Sequence, residues 1–240
     1  QVSANFFCDH RVFAPRPDLD KDIDVICVAA RGTYKRHERL LKALAEVKRR
    51  RGQLKAAFVG YPSDLTKGDI ELQARYHGLE DNIEFHEHLS PEQVNDLYAR
   101  SRVNVLWSRR EGTPRTPIEG MLAGVPIILR QGFNFGSHYQ YINERTGCFS
   151  TEKSLPADLI RYIDGNTEVD PRAWVLANMT PKIAMEQVSQ GLQAFAAQNA
   201  EPWTQPLAEV CGFLNGQTYW DPADKLKFEG DYDFLRSCLR

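Results

Sequence analysis

The feature that most constrains the fold is a regular alternation of short apolar runs with longer segments of helical periodicity. Apolar runs typical of buried strands lie at 24–30, 55–61, 82–89, 102–108 and 125–130. Segments of helical character lie between them, at 36–51, 69–78, 90–101 and 117–124. Short connections between alternating strands and helices predict parallel strands with right-handed crossovers. The sequence therefore predicts a doubly wound, Rossmann-like α/β sheet.

Two of these helices begin with residues that favour a capping box. Ser90 and Gln93 stand at the N-cap and N3 positions of one helix, with proline between them at N1. Thr116 and Glu119 have the same spacing, also with proline at N1. One interpretation of Glu119 is therefore structural, with its carboxylate accepting from the backbone N–H of Thr116.

The chain beyond residue 147 changes character. Helices are predicted at about 155–163, 171–178, 181–198 and 203–215, whereas 216–240 has no clear periodicity. We therefore divide the chain into an extended lead-in at 1–21, a Rossmann-like domain at 22–180, and C-terminal helices with a tail at 181–240.

Composition excludes several classes of protein. The 240 residues are 42% hydrophobic and 26% charged with a net charge of −2, which is typical of a soluble globular protein and gives no reason to expect nucleic acid as a partner. No apolar run is long enough to span a membrane, and no signal-peptide pattern opens the chain. The first residue, Gln1, fits a piece of a longer protein. We expect a cytoplasmic or membrane-peripheral location.

The cysteines and histidines do not form a metal-binding pattern. The five cysteines are scattered without a CxxC pair, which fits a reducing compartment. Neighbouring Cys8 and His10, like His86 and His88, lack a complementary second pair of ligands. No bound metal is predicted.

Polar residues follow several of the predicted strands. Arg31 follows the first, His88 lies near the end of the third, 108–111 follow the fourth, and 131–136 follow the fifth. Because ligands of doubly wound sheets bind outside the carboxyl ends of the strands, these residues mark one candidate site.

Two acids in this set, Glu111 and Glu119, flank the segment "EGTPRTPIEGMLAGVPII" and carry a resemblance. The segment resembles the E-x7-E signature of retaining glycosyltransferases of the GT-B fold, in the large group 1 family (family 4, glycogen synthase-like). Further similar segments are "ANFFCDHRVFAP" (the family's hinge), "VAARGTYKRHERLLKAL" (its donor-phosphate loop), residues 79–108 and "YINERTGCFS". The similarity covers about residues 4–150, in order and at the family's intervals.

The resemblance implies roles for named residues. Arg31 and Lys35 would neutralise the departing diphosphate of a nucleotide sugar, with Arg36 the nearest substitute for Lys35. Glu111 would contact hydroxyls of the transferred sugar, and Glu119 the ribose hydroxyls. The remaining donor-binding candidates are Gly112 and Thr113, which offer backbone N–H groups, together with Ser108, Thr116 and His88.

The resemblance also implies a function for the whole chain. It would be the donor-binding, second half of a GT-B enzyme that transfers a hexose from a nucleotide-diphosphate sugar with retention of configuration, without metal or cofactor. The N-terminal acceptor-binding domain has no counterpart here, and residues 181–240 would pack on it. We expect the isolated chain to bind donor and to transfer nothing. The acceptor stays open between a polysaccharide, a lipid-linked glycan and a protein.

Two other classes of function stay open. One is a non-catalytic nucleotide-sugar-binding or scaffolding module of the same fold. The other is an epimerase or phosphorylase, although no lysine stands out as the Schiff-base residue that a phosphorylase needs. The acidic triplets "DLD" (18–20) and "DYD" (231–233) lie outside the strand edge and are interpreted as solvated loops.

Overall fold

The computed structural model describes residues 2–132, 134–135, 139–204, 206–212 and 218–239. It contains two compact units, His10–Ala177 and a second formed by Gln1–Asp9 with Asn178–Arg240. The interdomain roles predicted for 1–21 and 181–240 stay predictions. No helix in the described part of the chain is both long and apolar enough to cross a lipid bilayer.

The larger unit contains a six-stranded parallel sheet with the strand order β3-β2-β1-β4-β6-β8. Its strands are β1 (Ile23–Val28), β2 (Ala56–Val59), β3 (Ile83–His86), β4 (Ser101–Leu106), β6 (Ile127–Arg130) and β8 (Gly147–Ser150). A separate short pair is formed by β5 (Arg110–Glu111) and β7 (Asn134–Phe135). This architecture confirms the predicted Rossmann-like fold.

Helices connect these strands and cover the sheet. They are α1 (His37–Arg51), α2 (Lys67–Tyr76), α3 (Pro91–Ala99), α4 (Thr116–Leu122), α5 (Leu155–Ile163) and α6 (Pro171–Asn178). Helix α1 packs against α2 and α5, whereas α3 packs against α4. The apolar stripe of α1 is fully buried, as its periodicity predicts. The central strands β1 and β2 are rich in Val, Ile and Ala because helices cover both of their faces.

The predicted capping box of α3 is present. The backbone N–H of Ser90 donates to the Gln93 side chain at 2.9 Å, and the Gln93 N–H donates to Ser90 Oγ at 3.3 Å. Helix α2 has a second capping box, between Thr66 and Asp69, which the sequence analysis did not identify.

The structure adds one strand that the sequence analysis did not predict. The first helix predicted beyond Gly147, at 155–163, is present as α5, but Gly147–Ser150 before it extends the sheet as a sixth strand beside β6. Only two of its four residues, Cys148 and Phe149, are apolar, so it lacks the apolar run that marks β2 and β6.

The predicted helix at 203–215 is wrong in its described part. The smaller unit contains α7 (Pro181–Gln198), β9 (Val210–Cys211), β10 (Thr218–Tyr219), a 3₁₀ helix at Pro222–Phe228 and α8 (Glu229–Cys238). Strand β9 lies within the range expected to be helical, and it pairs antiparallel with β10. Pro202 and Pro206 each lack a backbone N–H, which disfavours a continuous helix there.

Candidate functional site

The carboxyl edge of the sheet brings the β1–α1 loop against the segment that follows β2. The N–H of Arg31 donates to the carbonyl of Tyr61 at 2.9 Å, and the N–H of Leu65 donates to the carbonyl of Arg31, also at 2.9 Å. The Thr33 hydroxyl donates to Asp64 at 2.6 Å. These bonds fix the loop that carries the predicted cations.

Arg31 is buried, with only 3% of its side chain exposed. Its Nη1 donates to a carboxylate oxygen of Glu87, the residue just beyond β3. Its Nη2 is also buried and has no hydrogen-bond acceptor among the described residues. A buried guanidinium needs its donors satisfied, so this atom marks a place where an acceptor would be stabilised.

Glu87 is a site residue that the sequence analysis missed. It directly precedes His88, which was selected instead because it lies near the end of the predicted third strand. The structure ends β3 at His86, and His88 adopts a left-handed backbone with φ 55° and an exposed side chain. Within the described part of the chain, the His88 side chain makes no hydrogen bond or ion pair with the other candidates.

Lys35, Glu111 and Ser108 form one network, and all three were predicted site residues. Lys35 Nζ lies 2.5 Å from Glu111 Oε1, and the Ser108 hydroxyl donates to the same oxygen. Both members of the ion pair are largely buried, at 11% and 9% side-chain exposure. The Lys35 ammonium also lies 5.0 Å from the ring centre of Tyr34, within reach of a cation–π interaction.

Arg36 faces a different partner. Its Nη2 pairs with Glu152, in the segment after β8, at 2.6 Å. Lys35, rather than Arg36, therefore contacts Glu111. The structure does not support Arg36 as the substitute for Lys35.

Glu119 lies in the first turn of α4 and is buried. The capping interpretation is wrong, because the N-cap position is Arg115 and no side chain caps the helix. Instead Arg115 Nη2 lies 3.3 Å from Glu119 Oε1, one helical turn away. Burial raises the pKa of the Glu119 carboxyl to about 7, and the nearby Arg115 charge opposes that rise.

Thr116 is held in place by hydrogen bonds to its backbone carbonyl. Its carbonyl accepts from the Tyr98 hydroxyl and from Asn104 Nδ2, both at 3.0 Å. These two bonds position the start of α4 over the sheet.

The part of the loop next to Glu111 is held by a contact from Tyr139. The Tyr139 hydroxyl donates to the carbonyl of Gly112 at 2.8 Å, a contact that the sequence did not indicate. Gly112 is exposed and has space around its Cα, and Thr113 is half-buried. The predicted site segment after β6 reaches 131–136, of which 133 and 136 lie outside the described residues.

In the part of the chain that the structure describes, no three His, Cys, Asp or Glu residues are placed to hold a metal ion. The triplet 18–20 lies in a turn next to Arg16. The triplet 231–233 lies in α8, which corrects its interpretation as a loop.

The fold and this edge of the sheet define a domain of the GT-B glycosyltransferase class. The family model for glycosyl transferases group 1 matches residues 12–166, and the chain belongs to this family. Comparison with curated protein sequences gives no match.

Solved structures share the fold at low identity. The C-terminal domain of a group 1 glycosyl transferase (LpcC) from Francisella tularensis has a TM-score of 0.59 and 15% identity, over 72% of this chain and 98% of that one. Sucrose-phosphate synthase from Thermosynechococcus elongatus has a TM-score of 0.64 and 21% identity, over 79% and 52%. Anabaena Alr3699/HepE in complex with UDP-glucose has a TM-score of 0.64 and 17% identity, over 78% and 55%. The chain thus spans about half the length of the last two proteins.

Proposed function

We propose that this chain is the donor-binding half of a retaining, metal-independent hexosyltransferase that uses a nucleotide-diphosphate sugar. The observation that carries the proposal is the buried Arg31 guanidinium, whose Nη2 lacks an acceptor among the described residues. The Lys35–Glu111–Ser108 network lies on neighbouring loops of the same edge.

The two cations suit a diphosphate. A buried hydrogen-bond donor without an acceptor costs about 1–3 kcal/mol, and a phosphate oxygen at Arg31 Nη2 would remove that cost. Negative charge grows on the diphosphate as the glycosidic bond breaks. Arg31 and Lys35 would therefore stabilise the transition state more than the bound donor. Glu87 would act as a positioning residue that holds the Arg31 guanidinium in place.

The two acids suit hydroxyl groups. The bonds from Lys35 and Ser108 both use Oε1 of Glu111, which leaves Oε2 to accept from a hydroxyl of the transferred sugar. Glu119 would accept from the ribose hydroxyls beside Arg115. The backbone N–H groups of Gly112 and Thr113 would complete the donor site.

The remaining parts of the proposal concern the partner domain, the acceptor, the location and the nucleotide. Since it spans about half of HepE and of sucrose-phosphate synthase, its partner would be an N-terminal acceptor-binding domain, and the isolated chain would not transfer sugar. The acceptor would be a polysaccharide, a lipid-linked glycan or a protein, and the location cytoplasmic or membrane-peripheral. No cofactor would be needed. HepE was solved with UDP-glucose, and a pneumococcal O-GlcNAc transferase, GtfA, with UDP and GlcNAc, so UDP is the first nucleotide to test.

Calorimetric titration of the chain with UDP, GDP and ADP, and then with their sugar conjugates, tests the proposal. We expect one nucleotide to bind, and Arg31→Gln and Glu119→Gln each to lower its affinity by roughly 1–3 kcal/mol, or about 5- to 150-fold. Arg75→Gln is the matched control, because Arg75 is exposed in the last turn of α2 and is not one of the candidate residues. Affinities of Arg31→Gln and Glu119→Gln equal to that of Arg75→Gln would refute the assigned site.

A further inference from the structure

The chain segment after β6 holds two adjacent residues at the start of the loop between the two acids. Strand β7 pairs in parallel with β5, with Phe135 opposite Glu111. Tyr139 follows in the same segment, and its hydroxyl donates to the carbonyl of Gly112 at 2.8 Å. The backbone of Glu111 and the carbonyl of the next residue are therefore both fixed by this segment.

The Tyr139 side chain is itself firmly placed. It is only 7% exposed, and its ring centre lies 4.8 Å from that of Tyr141. Burial and, after it, the negative charge of Glu111 raise the pKa of the Tyr139 hydroxyl. The hydroxyl therefore stays protonated at neutral pH and keeps donating to Gly112. The influence of the Glu111 charge also places the Tyr139 hydroxyl in the neighbourhood of that carboxylate.

The hydrogen bond from Tyr139 decides the direction of a second group. In a trans peptide, the carbonyl of one residue and the N–H of the next residue point in opposite directions. Because the Gly112 carbonyl faces Tyr139, the Thr113 N–H points away from Tyr139. Across the ranges that the structure describes, this N–H donates to no backbone carbonyl or side chain. The next residue, Pro114, has no N–H, so Thr113 supplies the backbone donor at this point of the loop.

Gly112 explains why the peptide needs a restraint. A Cβ atom added there would have no other atom within 4 Å, so packing does not limit the rotation of the peptide that follows. Glycine itself allows a wider range of backbone angles than any other residue. Gly112 is also exposed, so water could satisfy its carbonyl without a tyrosine. The bond to Tyr139 satisfies the buried hydroxyl as well, so an experiment has to separate that structural role from an effect on ligand binding.

We propose that Tyr139 is a positioning residue that directs the Thr113 N–H toward the transferred sugar. This inference rests on the donor site proposed above, in which Glu111 contacts hydroxyls of that sugar. Lys35 and Ser108 hold the Glu111 carboxylate through Oε1. A sugar hydroxyl both donates and accepts, so it donates to Oε2 of Glu111 while it accepts from the Thr113 N–H. Fixing the N–H before the ligand arrives lowers the entropy that is lost on binding.

Tyr139→Phe tests the inference because it removes the hydroxyl and keeps the ring. Calorimetry measures the affinities for UDP and for UDP-glucose, the donor present in the HepE complex, or for the nucleotide and sugar conjugate that the titration above identifies. We expect the variant to bind the sugar conjugate roughly 3- to 10-fold more weakly. Its affinity for the nucleotide without sugar is expected to equal that of the wild type. A merely structural hydroxyl would affect both ligands alike.

Tyr162→Phe is the matched control. Tyr162 lies on α5, is 6% exposed, and has a hydroxyl that hydrogen-bonds to Cys148. The control therefore makes the same chemical change at a tyrosine of equal burial outside the proposed donor site. Both of its affinities are expected to equal those of the wild type.

A second measurement needs no ligand. The residual dipolar coupling of the Thr113 N–H, measured by nuclear magnetic resonance, reports the direction of that bond within the larger unit. We expect Tyr139→Phe to reduce this coupling, because the freed peptide rotates, and Tyr162→Phe to leave it unchanged. The couplings of the 31–36 loop should be the same in all three proteins.

Either of two results would overturn the inference. One is a Thr113 coupling that is equal in wild type and Tyr139→Phe, which would show that the hydroxyl does not orient the peptide. The other is an equal change, or no change, in the affinities of Tyr139→Phe for the nucleotide and its sugar conjugate. Failure of the proposed function is a different result, since the wild type would then bind none of the nucleotides while the Thr113 coupling still responded to Tyr139→Phe.

Discussion

At the scale of single residues, Glu119 combines burial with a single cationic neighbour. Its pKa is raised to about 7 from an ordinary value near 4.5. Between these two pH values the unfolded chain releases a proton that the folded chain retains. Folding stability therefore falls as pH rises from about 4.5 to 7, by roughly 3 kcal/mol in total.

Glu119→Gln is expected to abolish this contribution, because glutamine does not titrate. The measurement is urea unfolding of wild type and variant at several pH values between 4.5 and 7.5. The wild type should lose stability relative to the variant as pH rises, whatever the offset between them at low pH. Parallel pH profiles would show that the pKa of Glu119 is the same in the folded and the unfolded chain.

At the residue scale, a position directly after a strand was enough to place several candidates near one another. Arg31, Lys35, Ser108 and Glu111 follow apolar strands, and the structure brings the last three into one network. Glu87 was missed because the predicted third strand continued to residue 89. The structure ends β3 at His86, and Glu87 contacts Arg31 just beyond that strand. Arg115 could be identified as the partner of Glu119 only once the first residue of α4 was known.

At the scale of elements, segments with a clear apolar pattern were predicted well, and segments without one were not. Helix α1 has four buried apolar residues at helical spacing, so its bounds follow closely from the pattern. Strand β8 has only two apolar residues, Cys148 and Phe149, and is stabilised by pairing with β6, whereas β9 and β10 have two residues each and pair with one another. Local periodicity does not show such pairing.

The close contact between the chain segments just beyond β1 and β2 leads to a prediction at the scale of elements. A Cβ atom at Gly60 would lie 2.0 Å from the carbonyl oxygen of Ala29, a backbone atom held within the sheet edge. Gly60→Ala must therefore displace backbone, and we expect it to destabilise the larger unit by about 2 kcal/mol or more. Urea unfolding followed by tryptophan fluorescence measures the change.

Gly68→Ala is the matched control for Gly60→Ala. Gly68 is exposed in α2, and the nearest atom to an added Cβ is Thr66 Oγ1 at 3.8 Å. Alanine there should stabilise the helix by about 0.5–1 kcal/mol. Equal stability of the two variants would mean that β1 and β2 separate without cost at Gly60.

At the scale of the whole molecule, the candidate site belongs to one of the two compact units. Arg31, Lys35, Glu111 and Glu119 all lie within His10–Ala177. Because ligand binding slows the opening of the segments that contact the ligand, amide hydrogen exchange can assign the site segment by segment. The larger unit alone is then expected to respond to nucleotide.

A comparison of UDP with inorganic pyrophosphate distinguishes the part of the proposed donor site that binds diphosphate from the part that binds ribose. Pyrophosphate offers only charge, so it should slow exchange in the 31–36 loop, whose cations it contacts. UDP adds the ribose hydroxyls and should also slow exchange at 111–119, where Glu119 begins α4. Glu119→Gln should selectively weaken the second effect and Arg31→Gln both, measured at ligand concentrations near the wild-type dissociation constant. Protection by UDP that is concentrated in 178–204 would place the nucleotide on the smaller unit, and the carboxyl edge of the sheet would then need another ligand.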